Sequence, residues 1–141
     1  MKKQIEVVGA VLIREGTVLS VQRSPLMSLS GFWEFPGGKI EAGETPQVAL
    51  AREMREELLC TVTIGDHVET TCHEYDFGVV TLTTFYATLV DGEPQLTEHS
   101  QLRWIPIPHL LSVEWAEADL PAVKRIMRDR RPCSSEAAPA N

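Results

Sequence analysis

Glu56 and Glu57 lie three and four residues after Glu53, with Arg52 directly before it. On an α-helix, residues three and four apart are neighbours, so these three carboxylates are expected to converge on one face. Such a cluster repels itself unless something positive sits among it. A hard divalent cation, which prefers oxygen ligands, is the natural partner. Just upstream, Gly37-Gly38 and Gly43-Glu44 mark turns in which the main chain can approach an ion closely, because glycine tolerates positive φ without cost. An acidic helix face alone is ordinarily a solvated face; the glycine turn at a fixed distance is what favours a metal.

The rest of the chain must position that cluster. Its 141 residues make one domain of ordinary size, and 43% hydrophobic with 23% charged content describes a globular chain with a real core. The net charge of −7, from 20 acidic and 13 basic residues, argues against binding a nucleic acid polymer, which needs basic surface. A small phosphorylated ligand is still allowed if a metal bridges carboxylate to phosphate. No stretch approaches the roughly 18 uninterrupted apolar residues of a membrane span, and Met1-Lys2-Lys3-Gln4 runs into a strand pattern without a signal-peptide core. No membrane association and a cytoplasmic location are the expectations. Cys60, Cys72 and Cys133 are odd in number and widely spaced, unlike a disulfide framework or zinc site.

Periodicity supplies the elements. Residues 5–13 read as a buried strand and 18–22 as its return, followed by a polar loop over 24–31. Thr45-Pro46 starts a helix, Thr as N-cap and Pro at the first helical position. Val48, Ala51, Met54 and Leu58 are expected on its apolar side, roughly opposite the glutamates. Residues 61–64, 68–73 and 79–90 read as strands, punctuated at Gly65-Asp66, Asp76-Phe77-Gly78 and Asp91-Gly92. A short strand over 102–105 leads through a turn and short helical piece to a second helix over 119–131, with Leu120, Val123, Ile126 and Met127 as its apolar stripe. A single domain over 1–131 and a disordered tail over 132–141 are expected. Strands around one central helix, with a terminal helix, give a mixed α/β (α+β) sandwich.

Gly38-x5-Glu44-x7-Arg52-Glu53-Met54-x-Glu56-Glu57 resembles the signature of the Nudix hydrolases. Trp33-Glu34-Phe35-Pro36-Gly37-Gly38-Lys39-Ile40-Glu41, followed by Gly43-Glu44-Thr45-Pro46, resembles the MutT-like branch, and the likeness spans roughly residues 3–130. One position departs: Leu59 stands where the family has the glycine that ends the helix. The resemblance implies an α/β/α sandwich around a mixed β-sheet. It also implies a Mg²⁺-dependent enzyme, with Mn²⁺ as a substitute, that cleaves a (deoxy)nucleoside triphosphate to monophosphate and pyrophosphate in a house-cleaning role. A monomer or weak dimer is expected.

The resemblance further implies a metal site built from Glu53, Glu56, Glu57, Glu98 and the Gly37 carbonyl. Glu53 and Glu98 compete for the role of general base, and Arg52 would orient a neighbouring glutamate. Glu44 either binds metal through water or holds the loop. Arg23 and Lys39 are the cations for phosphate, and Phe35 and Phe77 line either the base pocket or the core. Asp119 would read the base edge, with helix N-capping as the competing reading. Asparagine is expected there in an enzyme specific for oxidised guanine. A carboxylate only accepts when ionised, so aspartate favours an exocyclic amine such as cytosine's, although some guanine-nucleotide sanitising enzymes also use it. A pyrimidine (CTP or dCTP type) or an oxidised purine (8-oxo-dGTP) nucleotide is therefore expected. ADP-ribose, a nucleotide sugar or a dinucleoside polyphosphate is the second enzymatic reading, and a ligand-sensing module the non-enzymatic one. The histidines are expected to be surface or structural, and the tryptophans core or rim.

Overall fold

A computed structural model describes residues 2–130; the expected tail over 132–141 lies outside the described residues. The chain runs β1 (Gln4–Arg14), β2 (Thr17–Gln22), β3 (Trp33–Glu34), β4 (Gly37–Lys39), α1 (Pro46–Leu58), β5 (Thr61–Tyr75), β6 (Gly78–Asp91), β7 (Gln101–Pro106) and α2 (Leu120–Arg130). Two 3₁₀ segments, Ile107–Ser112 and Glu117–Asp119, precede α2.

The sheet order is β3-β2-β1-β6-β5, with β4 also paired to β1 and β7 to β2. β1 and β6 run parallel, while the other pairings are antiparallel. Side chains alternate between sheet faces along a strand, and β1 serves two cores in this way. Val8, Ala10 and Leu12 meet α1 through Leu50, Met54 and Leu58, whereas Val11 joins the core that contains Val123 and Ile126 of α2. Helices thus cover opposite faces, and the expected α/β/α sandwich is what the chain adopts.

Three expectations change. Gly37-Gly38, read as a turn at positive φ, are instead extended in β4 without positive φ, and their lack of a side chain serves close packing. Residues 61–64 and 68–73 form one strand: Gly65-Asp66 marks a register shift between Ile64 and His67 instead of a turn. The extra residue reverses the alternation, so Val62 packs with the α1 core and Val68 with the α2 core. In α1 the buried residues are Ala49, Leu50, Met54 and Leu58, while Val48 is 56% exposed. The rows Leu50-Met54-Leu58 and Ala49-Glu53-Glu57, each stepping by four, lie side by side toward the sheet. Glu53 and Glu57 therefore flank the apolar stripe and are carried to the edge of the core instead of standing opposite it.

The helix start is as expected. Thr45 is extended at φ −79°, ψ 160°, and its hydroxyl accepts from the Val48 amide at 3.2 Å. At the other end Leu59 takes the left-handed conformation, φ 57° and ψ 36°, and its amide donates to the Met54 carbonyl. The turn that glycine would have made is retained by a leucine.

Candidate active site

Arg52 organises the start of the site. Its Nε and Nη2 donate to the two carboxylate oxygens of Glu44 at 2.6 and 2.9 Å. Nη1 donates to Glu53 and Glu56, both at 3.1 Å, and Nη2 also to the Lys39 carbonyl at 3.0 Å. All five guanidinium N–H groups are thereby used. Glu44 also accepts from the Glu41 amide at 2.9 Å, so it holds the loop before α1 as well as Arg52. These bonds, the one from Arg52 first, hold its carboxyl down at about 2.

The three helix glutamates are not equivalent. Glu56 is 60% exposed and Glu53 only 12%. The Glu53 carboxylate lies against Gly38, where a Cβ would collide with it; at Gly37 a Cβ would collide with the Val8 carbonyl of β1. The double glycine thus lets β4 sit on β1 and leaves a socket for Glu53. Burial pushes the Glu53 carboxyl up against the opposing pull of Arg52. Burial raises Glu57 too, followed by the charges of Glu98 and Glu53.

Glu53, Glu56 and Glu57 were expected to converge on one face; within it Arg52 takes Glu53 and Glu56, and Glu57 faces Glu98. Among the described residues, no group of three Asp, Glu, His or Cys side chains forms a ready-made ion cage. The donor chemistry nevertheless fits a hard cation. Glu53, Glu57 and Glu98 line one cleft of about 750 Å³ with Gly37 and Gly38, all are oxygen donors, and Glu57 is short of positive charge.

The opposite end of the cleft is drier. Asp119 is 5% exposed, and its Oδ2 accepts from the Phe35 amide at 3.0 Å, joining residues 84 apart. This bond replaces the N-cap reading, since that carboxylate serves β3's exit and not α2. Burial, then the charge of Glu34, raises the Asp119 carboxyl well above its ordinary range. The Phe35 ring belongs to the core, 3% exposed and 4.9 Å from the Trp115 ring. Phe77, 44% exposed, stacks on Tyr75 at 5.1 Å with planes 6° apart, and lines the cleft. Lys39 is exposed at the cleft margin.

Arg23 also lines the cleft, but its guanidinium is engaged: Nη1 donates to Glu34 at 2.8 Å, Nη2 to the Ser28 hydroxyl at 3.2 Å, and Nε to the Ser28 carbonyl. The sequence does not single out Glu34 as a site residue, and His99 is expected from it only as surface or structural. The His99 side chain is 5% exposed and bonds Glu34 Oε2 at 2.8 Å, so it is structural and not on the surface. Tyr75 is a further omission, its hydroxyl accepting from the Ala118 amide at 2.8 Å beside Asp119. The partners are 65 and 43 residues apart, and no local pattern announces such pairs.

A helix-borne row of arginine and glutamates behind a double-glycine strand, on a sandwich of this topology, defines a class: the NUDIX domain family, whose model matches residues 3–126. The chain belongs to that family and is a Nudix hydrolase of the MutT-like branch. It is 36% identical over 125 residues to the CTP pyrophosphohydrolase of Escherichia coli, covering 89% of this chain and 93% of that one. It is 41% identical over 122 residues to the putative 8-oxo-dGTP diphosphatase 2 of Mycobacterium tuberculosis, covering 84% of each. The solution structure of the MutT protein of methicillin-resistant Staphylococcus aureus is 52% identical, with a TM-score of 0.76 and coverage of 92% of this chain and 99% of that one. Nudix hydrolases are generally dependent on a divalent metal, and small nucleotide substrates fit these relatives. No helix among the described residues is long and apolar enough to cross a membrane.

Proposed function

We propose that this chain is a Mg²⁺-dependent nucleoside triphosphate pyrophosphohydrolase, with Mn²⁺ as a substitute, that releases monophosphate and pyrophosphate. Its role is to clear non-standard or surplus nucleotides from the cytoplasm, acting as a monomer or weak dimer without nucleic acid or membrane partners. The observation that carries this reading is the polarity of one cleft: Glu53, Glu57 and Glu98 at one end and the buried Asp119 at the other. The names of the relatives, one acting on CTP and one on 8-oxo-dGTP, support it.

Glu53, Glu56, Glu57, Glu98 and the Gly37 carbonyl would hold the metal. Bound there, it would screen the phosphate charge and lower the pKa of water. Arg52 fixes Glu53 and Glu56 by charge-assisted bonds and so sets their direction. Glu53 is the better placed general base: it is socketed against Gly38, and its raised carboxyl is closer to the range in which a base works. Glu98, on the exposed loop, then serves as ligand. Lys39 supplies a cation at the cleft margin for phosphate oxygens, while Arg23 braces the 24–31 loop through Ser28 and meets the nucleotide from that fixed position.

At the base end, Phe77 offers a half-open aromatic face and Asp119 a hydrogen-bonding edge. An ionised Asp119 accepts from an exocyclic amine, whereas a protonated one can also donate to a carbonyl. Both CTP-type pyrimidines and 8-oxo-dGTP are thereby candidates. The test is a nucleotide panel with Mg²⁺, in which monophosphate and pyrophosphate should appear and chelator should abolish turnover. Orthophosphate as the primary product would overturn the assignment.

A further inference from the structure

The loop that carries Glu98 is fastened on both sides of that residue, and to two different parts of the site. On one side, the Thr97 hydroxyl donates to the Glu57 carbonyl at 2.6 Å. The Gln95 amide donates to the Leu58 carbonyl at 2.9 Å. The last carbonyls of a helix lack intrahelical donors, so the loop closes the end of α1 while approaching Glu57. On the other side, the His99 side chain is buried and bonds Glu34 Oε2 at 2.8 Å, and the Ser100 amide donates to the Gln22 carbonyl at 2.9 Å. A carboxylate can only accept, so the proton lies on His99 Nε2. The other oxygen of Glu34 holds Arg23 at 2.8 Å.

Glu98 is therefore an exposed side chain on a backbone pinned by its two immediate neighbours, and it lines the cleft with Glu57. The geometry points to Thr97 and His99 as positioning residues that hold Glu98 opposite Glu57, with Glu34 tying this anchor to Arg23 on the nucleotide side. Thr97 lies outside the lining of the cleft and His99 lines it beside Glu98; the role assigned to each acts through Glu98. The inference rests on the proposed role of Glu98 as a metal ligand. Groups that orient ligands from behind are worth about 10- to 100-fold in metal affinity or activity. The expectation is a much larger loss in the hold on Mg²⁺ than in the hold on the nucleotide, because Arg23 keeps its bonds to Ser28 when the His99–Glu34 link is cut.

Two measurements on the full chain test it. In hydrogen exchange on metal-free protein, His99→Ala should accelerate the Gln95 and Ser100 amides, which donate to the Leu58 and Gln22 carbonyls, about 10-fold, as expected when a local hydrogen bond is lost, while those of Leu50 to Met54 stay as they were. In kinetics with CTP or 8-oxo-dGTP, the Mg²⁺ concentration for half-maximal rate should rise about 10-fold or more, with nucleotide KM at saturating Mg²⁺ within about twofold. His99→Gln places an amide N–H near Nε2 and should restore both values. If His99→Ala does not fold, Thr97→Val removes an exposed hydroxyl and carries the same expectations. Uniform acceleration of exchange across α1 and loop alike, or an unmoved Mg²⁺ midpoint, overturns the positioning role. A parent protein that turns over no triphosphate instead defeats the proposed function, and the exchange measurement still decides the anchor.

Discussion

The two ends of the cleft differ in what meets their carboxylates: an arginine at one and a backbone amide at the other. At the α1 end, Arg52 meets Glu44, Glu53 and Glu56 directly, and the Glu44 carboxyl is held down at about 2. At the α2 end, Asp119 is buried with one backbone amide as partner and with Glu34 as a neighbouring negative charge, and its carboxyl is pushed up. Acid should separate them. Glu44 contributes stability above its ordinary carboxylate range, and that contribution is lost only as pH falls toward about 2. Asp119 retains its proton to higher pH in the folded chain than in the unfolded one. The folded state binds more protons in that window, so stability falls as pH rises through it. Beside Arg52 the charge of Glu44 is kept, whereas burial raises Glu53 and Glu57 as it raises Asp119, so what sets the α1 end apart is the arginine among its carboxylates.

The largest effect that would separate the ends is at Glu57. Glu57→Gln removes a ligand charge and should lower kcat on the order of 10³-fold, about 4 kcal/mol in the barrier, without changing the ratio of kcat/KM between CTP and 8-oxo-dGTP. The Glu57 carboxyl is raised by burial and by Glu98 and Glu53, so the amide should not lower the Tm of metal-free protein. A rate within tenfold of the parent would remove Glu57 from the chemistry. A changed base ratio would mean that the two ends are not independent.

Much of the α1 end was legible because its determinants are local. The cap at Thr45, the glycine pair and the Arg-Glu row fall within residues 37–57, and helical spacing alone brings Glu53 beside Glu57. The misplacement of Val48 came from choosing the wrong neighbouring row of the helix, which the period does not decide until the sheet is known. At the α2 end the sequence offered Asp119 but not its partner. Phe35 reaches it only because β3 is bridged beside Trp115, with the Trp33 amide donating to the Glu114 carbonyl. The fused β5 was hidden for a similar reason: a Gly-Asp pair inside a strand gives the same local signal as a turn, and only pairing with β6 distinguishes them.

A smaller effect tests the α2 end by itself. Asp119→Asn keeps an oxygen for the Phe35 amide and removes the titration. In the parent, preference should move from 8-oxo-dGTP toward CTP as pH rises and Asp119 ionises, by about tenfold if one hydrogen bond to the base is exchanged. In the variant that drift should vanish, leaving a base ratio constant with pH. The Tm difference between variant and parent should grow with pH in the variant's favour, because the variant lacks the group whose ionisation is resisted. Loss of kcat/KM by the same factor for every nucleotide would show that Asp119 only holds β3's exit. A drift that persists in the variant would assign it to another group.

The smallest expected effect concerns the exit of α1, where Leu59 occupies a left-handed position, φ 57°. That conformation costs a β-carbon-bearing residue about 1–2 kcal/mol. Glycine adopts it freely but adds about 0.4–1 kcal/mol of unfolded-state freedom. Leu59 is 52% exposed, so little burial is surrendered. The balance for Leu59→Gly is a gain of about 0.5–1 kcal/mol, or roughly 2–4 °C in Tm for a chain of this size. The Leu59 amide keeps its bond to the Met54 carbonyl, and Glu57, two residues earlier, keeps its place in the row. Neither kcat nor the base ratio should therefore move. A fall in Tm would mean that the leucine side chain contributes more by packing than its conformation costs. A changed kcat with unchanged Tm would mean that the exit angle of α1 is transmitted to Glu57, and the separation between a chemical end and a reading end would extend to the helix turn itself.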